Sequence, residues 1–505
     1  MKKENAQNRT KVFLPMIETN HHGIFQLLGI AKALENRGAE VLILVCNGSL
    51  SGCEVKNINN IGHVDPCLTC KFQYDEILKK SGFKFLEIKN ILGNEIKSKL
   101  EAIARTESSN YPKQFIYEGV DLIPIVDDSV IRYCYGDLNK IQSIVQKLRF
   151  DHLHTALINI EVAKYISLAF GPDLLLSNVA VYSAWAPYTH FFKSLNIPYW
   201  TISATANDDG AIIINLMDLF KNPDRFNNYK NWRGSKNLTS SEEDELKGFI
   251  SQRKKGDFAV LRGLNLIDKG IEEILRINRK ERNIFLFCNV YWDLVTTEKG
   301  AIFDSMSDWV LKTIDMLSQS PNTHLYIKPH PSELYSSDKS SWGVKNIILK
   351  HYGKLPNNVT IIAHELNISP YSLLDYIDLG IVFNGTLGLE LAIEDIPVIA
   401  VGRGPYTGSN VLTEPISIEQ YKEYLHQKKD AKSTDKNDIR LFAYFYFIKN
   451  CIPFPIVDRV WAPKFKGYQV KTDKEFFEGK NYYLDHICNV ILKNKLPEEW
   501  VKQIA

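Results

Sequence analysis

At 505 residues the chain is long enough for two or more domains, each with its own core. A content of 45% hydrophobic and 24% charged residues excludes extended disorder, and a net charge of +2 excludes bulk attraction to nucleic acid or to an anionic membrane. Anion binding, if present, has to come from a local site.

The amino-terminal stretch MKKENAQNRTK is polar, and the run VFLPMI after it is too short for the core of a signal peptide. No run approaches the roughly 20 apolar residues of a membrane helix. The expected location is cytoplasmic, with peripheral attachment at the inner membrane face left open. KVFLPMI predicts a strand, ETNHHG a loop, IFQLLGIAKALENRG an amphipathic helix stopping at Gly38, and AEVLILVC a second strand. Ile24, Leu27, Leu28, Ala31 and Leu34 recur at helical spacing. This βαβ pattern implies a parallel sheet.

Cys46 ends the second strand, and Cys53, Cys67 and Cys70 follow, the last two as C-x-x-C. A thiolate zinc site uses such spacing. A buried strand end followed by reduced loop thiols accounts for it equally. FGPDLLLSN and IPYWTISA predict two more strands, with the helix YTHFFKSLN between them. The rhythm then fades, and residues 207–280 read as a linker and helical region in which Ser240 or Ser241 caps EEDELKGFI.

A second alternating series, NIFLFCNV, HLYIKPH, VTIIAH, LGIVFNG and PVIAVG, has the compact apolar runs of strands buried on both faces. The fold class is therefore α/β: two Rossmann-like domains, 1–206 and 281–473, facing across a cleft at their strand carboxyl ends. Residues 474–505 supply a closing helix that can pack back on the first domain.

Two stretches in the second series carry chemistry. In HLYIKPHPSE, Lys328 and His330 stand at a strand end, the histidine between two stiffening prolines. Two cations aimed the same way suit a phosphate. In LGIVFNGTLGLELAIEDIPVIAVG, Asn384, Gly385 and Thr386 precede a helix running from about Leu387 to Glu394, whose amino end favours an anion. Glu390, a turn into that helix, is placed either to accept a ribose hydroxyl or to serve as an ordinary helix carboxylate.

These stretches, together with NVYWD (Asn289 to Asp293) and ETNHHGIFQLLGIAKALENRGAEV, resemble bacterial capsule and surface-polysaccharide glycosyltransferases of the two-Rossmann-domain glycosyltransferase B architecture. The resemblance implies that His330, with Gly385 and Thr386, binds the donor nucleotide's phosphate, and that Lys328 neutralises the departing charge. Many relatives carry a pair of serines where this chain has Asn384, Gly385 and Thr386. By the same likeness to retaining Kdo transferases, Asp293 matches the nucleophile facing an oxocarbenium-like state. An inverting reaction would draw instead on Glu18, His21 or His22 of the first strand–helix loop. Asp127 and Asp128, with Arg132, are placed to hold an acceptor or to form a structural ion pair.

The function implied is transfer of a sugar from a nucleotide-sugar donor to a surface glycan or lipid-linked glycan, with no nucleic-acid partner. A CMP-linked ulosonic acid is the favoured donor, ahead of UDP- or GDP-sugars. No Asp-x-Asp arrangement asks for a metal, and no further cofactor is expected. Two other readings stay open: a teichoic-acid-type polyol-phosphate transferase, and a non-catalytic polysaccharide assembly subunit.

Overall fold

The computed structural model describes residues 9–17, 24–53, 66–74, 78, 82–133, 142–204, 212–216, 227–234, 236–255, 266–290, 302–331, 333, 343–402, 404–427, 435–454, 457–461, 465–470 and 473–493. The chain divides into two compact units, one of Met1–Arg225 with Cys451–Ala505 and one of Phe226–Asn450.

The first unit is built on β1 (Lys11–Met16), β2 (Glu40–Val45), β3 (Phe85–Glu87), β4 (Leu174–Ser177), β5 (Tyr199–Ala204) and β6 (Ile212–Leu216), in the order β3-β2-β1-β4-β5-β6. All neighbours are parallel except β5 and β6. The central strands β1 and β4 are buried along nearly their whole length, which explains why their sequences run apolar without alternation. Helix α1 (Ile24–Asn36) joins β1 to β2 and ends as expected, with Gly38 at φ +88°. Helices α2 (Pro66–Gln73), α3 (Gln142–Ala169) and α4 (Tyr182–Ser194) belong to the same unit.

The second unit contains α5 (Ser240–Lys254), β7 (Arg282–Phe287), α6 (Met306–Leu317), β8 (Thr323–Lys328), β9 (Val359–Ile361), β10 (Leu379–Val382), α7 (Leu387–Ile393), β11 (Val398–Ala400) and α8 (Lys436–Tyr444). Its five strands are all parallel in the order β9-β8-β7-β10-β11. Both sheets therefore share the arrangement in which the first and fourth strands lie side by side and the chain reverses direction across the sheet. That is the doubly wound pattern, and the expectation of two Rossmann-like sheets holds.

On one face of the second sheet Trp309, fully buried on α6, packs against Phe383 and donates its indole N–H to Tyr421 (3.2 Å). Around them Ile284, Leu286, Leu325, Ile327 and Ile381 complete a core. Each such side chain, fully buried, contributes roughly 1.5–3 kcal/mol.

The stretch read as a linker and helical region, 207–280, contains regular elements among its described residues. It supplies β6 to the first sheet and α5 to the second unit. The cap of α5 is Thr239 rather than Ser240 or Ser241: its hydroxyl accepts from the Glu242 N–H, and Glu242 accepts from the Thr239 N–H in return. That reciprocal box satisfies two amide donors at once, an advantage a serine one residue later would not share. The helix Tyr482–Lys493, α9, packs on α1 as expected, with Arg37 hydrogen-bonded to Asp485 and to the Phe476 carbonyl.

Candidate functional site

Strand carboxyl ends at the reversal point of a doubly wound sheet leave a crevice, because the connections on either side leave in opposite directions. In the second unit that point lies between β7 and β10. A cavity of about 260 Å³ is found there, lined by Phe287, Cys288 and Asn289 after β7, Lys328 to Pro331 after β8, and Val382, Gly385, Thr386, Leu387 and Glu390 from β10 into α7. Arg253, Pro370 and Tyr371 complete the lining. Five of the six residues expected to bind the donor thus meet at one place, although some fifty positions separate the two motifs.

The electrostatics differ from the expected pair of cations. Lys328 is 6% exposed, and burial lowers its pKa to about 8, so it still carries its proton at neutral pH. His330 is pushed down to about 4, first by burial and then by the neighbouring Lys328 charge. Its imidazole is therefore neutral near pH 7, a hydrogen-bonding group rather than a second cation.

The second cation is Arg253, which the sequence reading left in the linker. It reaches the cavity from the last turn of α5, and its Nε donates to Glu390 Oε2 at 2.9 Å and to the Tyr371 hydroxyl at 3.2 Å. Burial is the largest single effect and works against its charge, but Glu390 and Tyr371 together outweigh it and raise the guanidinium's pKa. Tyr371 also hydrogen-bonds Glu390 Oε2, and Thr386 Oγ1 donates to Oε1 at 3.2 Å. Both carboxylate oxygens of Glu390 are thus engaged, and its side chain is 1% exposed. These contacts make Glu390 the carboxylate that fixes Arg253 against α7. The Thr386 hydroxyl, expected to face an anion, is spent on Glu390 as well.

The loop before α7 is shaped by close approaches. A Cβ on Gly402 would stand 2.7 Å from the Phe383 ring, and one on Gly404 3.0 Å from the Asn384 carbonyl. Asn384 is buried beneath this contact and does not line the cavity, which removes it from the wall where it was expected. The Tyr406 hydroxyl donates to the Gly385 carbonyl (3.2 Å) and holds the loop from the other side. No side chain caps the amino end of α7.

Behind the cavity wall, Glu333 is 3% exposed and accepts the Val344 N–H at 3.2 Å. Burial raises its pKa to about 8, only partly offset by that hydrogen bond. Burial, with Glu333 nearby, also raises the Cys288 thiol well above its usual value.

Glu18, His21, His22 and Asp293 lie outside the described residues. In the first unit Asp127 accepts from the Tyr111 hydroxyl at 2.9 Å, and Arg132 donates to the Tyr182 hydroxyl at 2.8 Å while stacking over its ring. The second contact joins two helices, and the first ties a loop to a helix.

Residues 205–448, just under half of the chain, match the family model described as capsule polysaccharide biosynthesis protein. The segment spans the whole cavity and bears out the resemblance read from its motifs. No curated protein matches the chain. Among solved structures, the beta Kdo 2,4 transferase of Thermosulfurimonas dismutans KpsC aligns at 14% identity over 59% of this chain and 85% of its own, with a TM-score of 0.38. A glycosyltransferase from Rickettsia africae aligns at 13% over 97% and 100%, with a TM-score of 0.29. Anabaena Alr3699/HepE, solved with UDP-glucose, aligns at 11% over 87% and 95%, with a TM-score of 0.28. Among the described residues no helix is long and apolar enough to cross a membrane.

Proposed function

We propose that the protein is a glycosyltransferase of surface-polysaccharide synthesis, with the donor nucleotide's phosphate held in the cavity of the second unit. The observation that carries this reading is the convergence of Lys328, His330 and Arg253 at the sheet's reversal point. Lys328 opposes the charge that grows on the leaving phosphate, and the neutral imidazole donates one N–H to a phosphate oxygen. Because these groups are buried and fixed before the donor arrives, their stabilisation is not lost to solvent or to reordering.

With Arg253 already balanced by Glu390, the lining carries about one uncompensated positive charge. At the phosphate itself that suits the single phosphodiester charge of a CMP-linked ulosonic acid, whose second charge is borne by the sugar carboxylate, better than the diphosphate of a UDP- or GDP-sugar. Asp293, placed by motif after β7, is the nucleophile in this reading, and Glu18 and His21 belong to the acceptor side.

The test is a thermal-shift panel of CMP, CDP, UDP, GDP and their sugars on the wild-type chain and on His330→Ala. A ligand at a hundred times its dissociation constant stabilises by about 2.7 kcal/mol. Protection by a cytidine monophosphate compound that the variant loses supports the reading. If no nucleotide protects at millimolar levels, the donor site is misassigned. If CDP-glycerol or its kin protects instead, the polyol-phosphate reading takes over.

A further inference from the structure

Glu333 does not line the phosphate cavity, yet the backbone joins it directly to His330. Its N–H donates to the His330 carbonyl at 3.0 Å and closes a four-residue turn with Pro331 in the second position. Proline suits that place because its ring presets the φ such a turn requires. The imidazole is thus rooted in a stiff turn. A stiff turn can still swing as a body about the end of β8 unless its far end is fastened. Here it is fastened: the Glu333 carboxyl, 3% exposed, accepts the Val344 N–H at 3.2 Å, eleven positions further along the chain.

The receiving side of that contact is shaped for it. Val344 opens the helix Val344–Tyr352, and both Val344 and Ile348 are fully buried in the core of the second sheet, so the helix is a fixed post. Its cap residue is Gly343, which brings no side chain to the first helical amides. Serine, threonine, aspartate or asparagine is the ordinary choice there. With φ at −71°, the backbone does not ask for glycine. Space does, since a Cβ on Gly343 would stand 2.8 Å from Glu333 Oε2. Glu333 therefore occupies the room that a local capping side chain would fill. Burying a carboxyl so deeply is destabilising, as its raised pKa of about 8 records. A polar cap at the helix start would satisfy the helix without that loss. What the local cap could not do is hold His330.

We propose that Glu333 is a positioning residue for His330, its buried carboxyl clamping the turn that carries the imidazole onto the helix Val344–Tyr352. The proposal rests on the reading of the cavity as a phosphate site. Glu333 touches no donor itself. Its clamp sets the direction of the imidazole N–H before a phosphate arrives, which is the condition for a donor group to act at full strength. Without the clamp the turn swings outward and water reaches the ring. Among the described residues, Cys288 and Lys328 are the other titratable groups that bear on this pair.

The experiment compares the full chain with Glu333→Ala, with Gly343→Ala, whose methyl group evicts the carboxyl from the opposite side, and with Glu333→Gln, which keeps both shape and acceptor. Histidine labelled with 13C at Cε1 is followed by NMR, and the His330 signal is the one that His330→Ala removes. In the unaltered chain the imidazole is held near 4, so its signal is expected to stay still from about pH 5 to 8. In Glu333→Ala and Gly343→Ala it should titrate, with a pKa moved toward the ordinary 6.5, while Glu333→Gln stays still. A carboxyl that served only stability would not move that titration. Affinity for CMP, or for whichever nucleotide of the panel protects the chain, should fall about tenfold in the same two variants and persist in Glu333→Gln, the worth of one hydrogen bond to a charged group. The two replacements act from opposite sides of one contact, so if either fails to fold the other decides. An imidazole that titrates in the variants as it does in the unaltered chain overturns the proposal, and so does one that is released with nucleotide affinity unchanged. The histidine signal needs no nucleotide: a chain whose His330 is released in the variants but that binds no nucleotide keeps the clamp and loses the donor reading.

Discussion

His330 and Lys328 sit two positions apart, yet burial leaves one neutral and the other charged near pH 7. The consequence is a defined pH response. An anionic ligand prefers protonated Lys328, so affinity is retained below about pH 8 and falls as pH rises through that value, where the unliganded ammonium gives up its proton. Lys328→Met should abolish that fall, and binding isotherms between pH 6.5 and 9.5 would show it. His330→Ala removes a fixed donor and should lower turnover about 100-fold, since the loss of one preorganised hydrogen bond to developing charge costs that order. Glu333 has its own signature. Its folded pKa lies above the ordinary carboxylate value, so its contribution to stability is complete below about 4.5 and declines as pH climbs toward about 8. Glu333→Gln should therefore stabilise the protein more at pH 8 than at pH 5, measured by urea unfolding at each pH. The sequence shows which residues cluster in KPHP and NGT. It does not show their protonation, because that follows from how far each is buried.

Among elements, α5 and α7 are held by a pair that no spacing rule reveals: Arg253 and Glu390 are 137 positions apart. Glu390→Gln leaves a guanidinium that is 12% exposed without its counter-charge. Breaking such a buried pair from one side costs about 3–5 kcal/mol. Thermal and urea unfolding should find the loss; a change under about 1 kcal/mol would mean that Arg253 is solvated in another way. Gly402→Ala drives a methyl group into Phe383 and should cost about 1–3 kcal/mol while weakening nucleotide affinity, because the displaced ring leads directly into Asn384 and Gly385. The strands β1, β2, β4, β5 and β7 to β11 were legible because each is a short, nearly unbroken apolar run. Three elements were not. The strand β3 is three residues long and half-buried, β6 lies in a polar neighbourhood, and the 28-residue α3 has no single apolar face to betray its period. The helix α5 was read as a helix but not as part of a unit for a related reason: it is charged overall and buries only Leu246, Phe249 and Ile250.

At the level of the whole molecule, the first unit is assembled from two distant parts of the chain. Helix α1 accepts α9, which buries Leu484, Ile487, Cys488, Val490 and Ile491, and a Cβ on Gly29 would stand 3.3 Å from the rings of Phe454 and Phe476. Deleting residues from Tyr482 onward should therefore destabilise the unit that begins the chain while sparing the second unit, visible as the loss of one of two unfolding transitions. The second unit, by contrast, is a single continuous stretch. During synthesis that stretch leaves the ribosome complete while the first unit still lacks a wall, so the second unit can reach its native state first. The exposed flank of α1 must meanwhile stay clear of other hydrophobic surfaces until translation delivers its last covering helix. The order in which the halves mature is thereby written into the path of the chain, and a stall late in translation would leave a folded second unit attached to an incomplete companion.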